Sequence, residues 1–226
     1  SFGFKIVEKF QENIDLIFMI DPRPDASGCS INEILRYKSY NSKVKLVYRI
    51  NECDARKGLE NEIDPIIRAC SHYTDMNIFI SEWIKNYHVN NSDWKGKKDF
   101  VIYSGTNKHH FRKNEKLNNG KINLVTHHWS DNPMKGQDIY EKLDKFCGIN
   151  SNYTFTYIGR TKSQFNNSQL IEPTFGKNLG DILSRYDVYV SGTKYDPGPN
   201  HIIESIACNI PTYAHIDSGG AVEMVG

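Results

Sequence analysis

Short apolar runs recur along the chain, and each ends in polar or Gly/Pro residues. The first, Asp15 to Ile20, runs into Asp21-Pro22-Arg23-Pro24 and reads as a buried strand with a proline stop. Lys45–Ile50 is a second strand, ending at Asn51-Glu52-Cys53-Asp54. Asn77–Ile80 and Phe100–Tyr103 follow as a third and a fourth. Helical stretches fall between them. Ser30 caps one that runs to about Ser39, Pro65 sits in the first turn of one over Asp64–Ser71, and Ser81 begins another. Strands alternating with helices predict a parallel sheet covered on both faces.

The polar stretch Arg112–Gly120 interrupts the pattern and is the best linker candidate. The alternation then restarts. Ile122–Thr126, Tyr153–Ile158 and Val188–Val190 read as strands, with helices near Gly136–Lys145 and Leu179–Arg185. Two Rossmann-like halves are therefore expected.

One stretch, Thr193–Pro211, reads TKYDPGPNHIIESIACNIP. It follows a strand, turns through Gly198 and Pro199, and becomes a helix with Ile202, Ile203 and Ile206 on its apolar side. Asn200 is the expected N-cap. A strand, a tight turn and a helix N-terminus together suit an anion, because the helix presents free N–H groups and partial positive charge. Asp196 and Glu204 lie eight positions apart, and Glu204 stands one turn inside the helix. A carboxylate there suits a pair of neutral hydroxyls, such as a ribose diol. Spacing alone fits the plainer reading first: a packing helix, with Asp196 in the turn and Glu204 solvated.

The run D-P-G-P-N-H-I-I-E-S-I-A-C-N-I-P, followed by Gly219-Gly220 and Glu223, resembles the donor-site signature of family 4 glycosyltransferases with the GT-B fold. That signature has an acidic residue, seven residues, a Glu, a small-residue helix and a Gly-Gly turn. This chain departs from it in three places. The first acid is Asp196 rather than Glu, Pro199 replaces a small Gly and removes an N–H, and Asn209 stands where Gly ends the helix. Ser104–Phe111 is similar to the interdomain stretch of the same enzymes, with departures at Ser104 and Asn107.

The resemblance implies an α/β chain of GT-B type, two Rossmann-like domains with parallel sheets facing a cleft. The expected division is 1–106, a partial N-terminal acceptor-side domain, and 107–226, a donor-binding domain. Both are expected to be incomplete, the first lacking its opening strand and Gly-rich loop and the second its closing helices. The implied activity is retaining transfer of a sugar from a nucleoside-diphosphate sugar to an acceptor hydroxyl, with no metal and no cofactor.

The resemblance also assigns roles. Glu204 holds the ribose and Asp196 touches the transferred sugar. Lys135, before Gly136, contacts the diphosphate, as a flexible cation beside a helix N-terminus can. Ser130 occupies the place of a frequent Arg, so Arg160, after Gly159, is the candidate second cation. Gly198 and Asn200 complete the donor loop. Arg49, Asn51, Asp54 and Arg56 stand at or beyond the end of the second strand, where ligands of doubly wound sheets gather. Asn51 is the expected acceptor-side participant, and Asp54 and Arg56 equally fit a helix cap or a surface pair.

The pairs His109-His110 and His127-His128 invite a metal reading. Neighbours on a strand point to opposite faces, and no acidic or Cys partner stands at ligand spacing, so none is expected. One of His127 or His128, both at a strand's C-terminal end, is instead the candidate to approach the donor, with His128 taken as the site residue.

Composition narrows the rest. The chain has 226 residues, 38% hydrophobic and 24% charged, an ordinary globular balance. A net charge of +1 argues against nucleic acid as a partner. Five widely spaced cysteines without C-x-x-C suggest reduced thiols and a cytoplasmic protein. No apolar run reaches the roughly 20 residues of a membrane span, which leaves only peripheral membrane contact. Two other readings stand beside the transferase: a non-catalytic nucleotide-sugar binding module, and an epimerase or phosphorylase on the same architecture.

Overall fold

The computed structural model describes Gly3, residues 5–24 and residues 29–225. The chain forms two compact units. One comprises residues 1–54 and 59–102; the other comprises 55–58 and 103–226.

The first unit holds a parallel four-stranded sheet in the order β1-β2-β3-β4. Its strands are β1 (Leu16–Met19), β2 (Lys45–Ile50), β3 (Met76–Phe79) and β4 (Asp99–Val101). Helices α1 (Ile31–Tyr40), α2 (Asp64–Cys70) and α3 (Glu82–Val89) make the crossovers. Local chemistry explains the boundaries. Ser30 Oγ accepts from Glu33 N–H while the Glu33 carboxylate accepts from Ser30 N–H, a reciprocal cap on α1. Ser81 caps α3 through Ile84 N–H.

Asp54 settles into a structural role. Its buried carboxylate accepts the N–H groups of Glu62, Ile63 and Asp64, at 2.9, 2.9 and 3.2 Å, and so ties the loop that leads into α2.

The second unit holds a five-stranded parallel sheet, ordered β7-β6-β5-β8-β9. The strands are β5 (Ile122–His128), β6 (Tyr153–Gly159), β7 (Gln169–Ile171), β8 (Val188–Ser191) and β9 (Thr212–Ala214). Helices α4 (Gln137–Ile149), α5 (Gly176–Leu183), α6 (Asn200–Ala207) and the short α7 (Val222–Val225) accompany it. Core residues lie on both faces, Tyr189, Leu183 and Ile202 in one cluster and Tyr140, Phe155 and Tyr157 in another. This two-sided burial explains why β5 and β6 read as near-continuous apolar runs.

The stretch Arg112–Gly120 belongs to the second unit. Lys116 Nζ donates to Tyr186 O, Asn114 Nδ2 donates to Ser184 Oγ at 2.9 Å, and Leu117 packs on the core. The sheet order places β8 beside β5, and this adjacency brings the loops after β5 and β8 together.

Candidate functional site

All strands of the second sheet run parallel, so the loops after β5, β6 and β8 leave from one edge. The loop after β5 makes a short 3₁₀ turn, Pro133–Lys135, started by Asn132 Oδ1 accepting from Met134 N–H. Gly136 follows at φ +82°, a left-handed conformation. A Cβ there would also lie 2.2 Å from Gly192 O, so only glycine lets the loops after β5 and β8 approach so closely.

This approach places Lys135 against Asp196. Lys135 Nζ lies 2.8 Å from Asp196 Oδ2, and both side chains are largely buried. The Asp196 backbone is held by the Gly-Gly turn: Gly220 N–H donates to Asp196 O, and Asp196 N–H donates to Ser218 O. Gly198 N–H donates to Asp196 Oδ1 at 3.3 Å. Burial pushes the Asp196 carboxyl up, but Lys135, joined by His201 and Arg56, brings it below the usual carboxylate range. His201 is itself held neutral, as shown below, so at neutral pH the Lys135 ammonium is the stronger acting charge.

Asn200 is not the N-cap of α6. Pro199 caps the helix in extended geometry, with φ −72° and ψ 107°, and makes no side-chain cap bond. The fixed ring of Pro199 ends the turn one residue earlier than the sequence suggested. Asn200 becomes the first helical residue and is exposed. The N-terminal end of α6 thus carries no side-chain cap beside the Asp196 loop. Asn209, just beyond the helix, adopts the expected left-handed conformation, with φ 57°.

Glu204 is not a solvated helix charge. Its Oε2 lies 2.8 Å from His127 Nε2, and its side chain is 22% exposed. His127 Nδ1 in turn lies 3.1 Å from the hydroxyl of the buried Tyr189. His128 points to the other side of β5, as strand alternation demands. It is buried, with Nε2 2.6 Å from the Tyr140 hydroxyl, which also accepts Gly192 N–H at 2.8 Å. His201, from α6, places Nε2 2.9 Å from Ser191 Oγ and packs its ring on that of His128, with centroids 4.9 Å apart.

Three histidines therefore floor the sheet edge. Burial is the first cause that holds His128 well below the usual imidazole range, joined by His201, Lys135 and His127. Burial, Lys135 and His127 do the same for His201, against the opposing pull of Asp196. Both titrate near 6.5 when the chain unfolds. Below that pH the unfolded chain binds protons that the folded one refuses, so stability falls as the pH drops. Two such groups give a slope of about 2.7 kcal/mol per pH unit below about pH 6. Denaturant midpoints between pH 7 and pH 5 check this, and His201→Asn should flatten the slope.

Arg160 takes a different position from Lys135. Its guanidinium stacks over Trp129, 4.1 Å from the ring centroid, and Trp129 packs beside the exposed Phe175. Ser130 Oγ accepts Asn132 N–H and shapes the Lys135 loop. Asn51 is half-buried just beyond β2 in the first unit. Sequence reasoning overlooked His127 as the partner of Glu204, and it overlooked His201. The usable signal was two tyrosines, Tyr140 and Tyr189, able to satisfy adjacent histidines. Among the described residues, no group of three or more His, Cys, Asp or Glu is arranged to hold a metal ion. Among the described residues, no helix is long and apolar enough to cross a membrane.

No family model and no curated protein matches the chain. Solved structures do. Sucrose-phosphate synthase from Thermosynechococcus elongatus is similar at 14% identity and a TM-score of 0.67, over 88% of this chain and 55% of that one. Anabaena Alr3699/HepE, solved with UDP and glucose, is similar at 16% identity and 0.67, over 94% and 61%. The pneumococcal O-GlcNAc transferase GtfA, solved with UDP and GlcNAc, is similar at 12% and 0.66, over 93% and 44%. The chain spans about half the length of these proteins. At such identities the likeness is one of fold: the chain has the two-sheet α/β fold of GT-B glycosyltransferases.

Proposed function

We propose that the chain belongs to a retaining, family 4-type glycosyltransferase that moves a sugar from a nucleoside-diphosphate sugar to an acceptor hydroxyl. The observation that carries this reading is the convergence at one sheet edge of Lys135, Asp196 and Glu204 beside the uncapped N-terminus of α6. Each matches one part of such a donor. The Glu204 carboxylate accepts the ribose hydroxyls. Lys135 and the α6 N-terminus neutralise the diphosphate, a charge that grows as the sugar leaves. Asp196, kept ionised beside Lys135, faces the hydroxyls or the developing positive charge of the transferred sugar.

Gly198 and Asn200 shape the donor loop. Arg160 and the inward-facing His128 support the site from its flank and floor, and Asn51 serves the acceptor side. The structural neighbours solved with UDP, UDP-glucose or GlcNAc support a nucleotide-sugar donor. The reaction we propose uses no metal, and the protein works in the cytoplasm.

The test is a mass-spectrometric screen of nucleotide sugars and acceptors against the intact protein, with chelator present. A glycosylated product with the anomeric configuration of the donor is expected. Nucleotide-sugar binding without transfer to any acceptor would favour a binding module, consistent with the N–H that Pro199 removes from the donor turn. An absence of binding would overturn the proposal.

A further inference from the structure

Glu204 is gripped on one side only. Its Oε2 meets His127 Nε2 at 2.8 Å, while Oε1 takes no hydrogen bond from any described residue. A carboxylate only accepts, so His127 Nε2 must carry the proton in either charge state of the ring. The opposite ring nitrogen, Nδ1, meets the Tyr189 hydroxyl at 3.1 Å. That hydroxyl also accepts His127 N–H at 3.1 Å and lies 3.3 Å from His127 O. It can therefore donate to Nδ1 or accept from it, with the backbone of the same residue taking up the remainder. Tyr189 is wholly buried, and burial raises its phenol well above the ordinary range, so it stays a neutral hydroxyl. The imidazole, carried on β5, is thus held at Nδ1 by Tyr189 from β8, and its Nε2 fixes one oxygen of a helix carboxylate.

We propose that His127 is a positioning residue, and that with Tyr189 it sets the rotamer of Glu204 so that Oε1 is presented to the vicinal diol of the nucleotide's ribose. The inference rests on the donor-site reading above. A free Glu side chain would lose rotamer freedom on binding the diol; the clamp imposes that loss in the folded protein instead. Hydrogen-bonded outer partners of this kind hold ligating groups in orientation at many sites.

The experiment is a double-mutant cycle on the intact protein, read by calorimetry with whichever of UDP, GDP or ADP binds the wild type most tightly. His127→Phe keeps the aromatic packing and removes both ring nitrogens. It should weaken binding about 5- to 30-fold, with His127→Gln recovering part of the loss through its amide donor. In the Glu204→Ala background, His127→Phe should change affinity less than about 2-fold, because the carboxylate it positions is gone. An equal loss in both backgrounds would overturn the proposal, since His127 would then act independently of Glu204.

Unchanged affinity in His127→Phe, with a large loss in Glu204→Ala, would also overturn it while leaving the donor-site reading intact. Unchanged affinity in Glu204→Ala, or binding of none of the three nucleotides, would remove that reading and the positioning role together. A readout independent of ligand accompanies the cycle: a slowly exchanging His127 Nε2–H signal in ¹⁵N-edited spectra, whose exchange accelerates in Glu204→Ala. A rapidly exchanging or absent Nε2–H in the wild type would overturn the clamp directly.

Discussion

Lys135→Ala is expected to lower turnover at saturating donor by about 10²–10³-fold, with a smaller loss of donor affinity. The asymmetry follows from when the charge appears. The diphosphate gains negative charge as the sugar departs, so a cation beside it strengthens on the way to the transition state and acts on rate more than on binding. A solvated lysine would show no such asymmetry, because exposed charges contribute about 1 kcal/mol or less.

The structure adds a second consequence. Lys135 Nζ is paired with Asp196 Oδ2 at 2.8 Å; Asp196 is buried and the lysine side chain largely so. Removing the lysine strands a carboxylate that burial already disfavours, and breaking such a pair typically costs about 3–5 kcal/mol of stability. The rate must therefore be measured on protein shown to be folded at the assay temperature. Lys135→Ala combined with Asp196→Asn should recover most of that stability, since neither charge remains, yet no turnover. Wild-type turnover in folded Lys135→Ala would rule out the leaving-group role.

The same pair marks the limit of what could be read from the sequence. Lys135 and Asp196 were each singled out through the resemblance to a donor motif. Their pairing was not, because it depends on β8 inserting beside β5 rather than beyond β7. The strands β2, β5 and β6 were legible because burial on both faces writes a continuous apolar run. Strand β5 nevertheless continues two residues past Thr126, through His127 and His128. The sequence places those histidines at the strand's end, but not that Tyr189 and Tyr140 satisfy them. Strand β7 was missed for the opposite reason: at the sheet edge Gln169 and Leu170 are exposed, and three residues leave no period to detect. The N-cap of α6 was misplaced by one residue because Asn is the better cap by chemistry, whereas the turn geometry is fixed by Pro199. Pairing and adjacency are tertiary facts, and here they turn the two acids of one motif into groups with different partners, Lys135 and His127.

Glu204→Ala is expected to weaken nucleotide binding by about one to three orders of magnitude, measured by calorimetry with a nucleoside diphosphate. The magnitude comes from the chemistry of the contact. Hydrogen bonds to a charged acceptor contribute about 1.5–3 kcal/mol each, and a ribose diol offers two donors to one carboxylate. The structure argues for the upper part of that range, because Glu204 is already oriented through His127 Nε2 and little side-chain freedom remains to be lost. Glu204→Gln should fall between the wild type and alanine. It keeps an acceptor for His127 Nε2–H, but it replaces the charged acceptor with a neutral one, and its amide N–H₂ cannot accept the second hydroxyl. The effect should be confined to the nucleoside. Inorganic pyrophosphate, which lacks the ribose, should bind Glu204→Ala and the wild type within about 2-fold, whereas Lys135→Ala should weaken it clearly. If Glu204→Ala weakens pyrophosphate as much as the nucleotide, the carboxylate shapes the whole loop and does not hold the ribose. If it leaves nucleotide affinity unchanged, the ribose assignment is wrong.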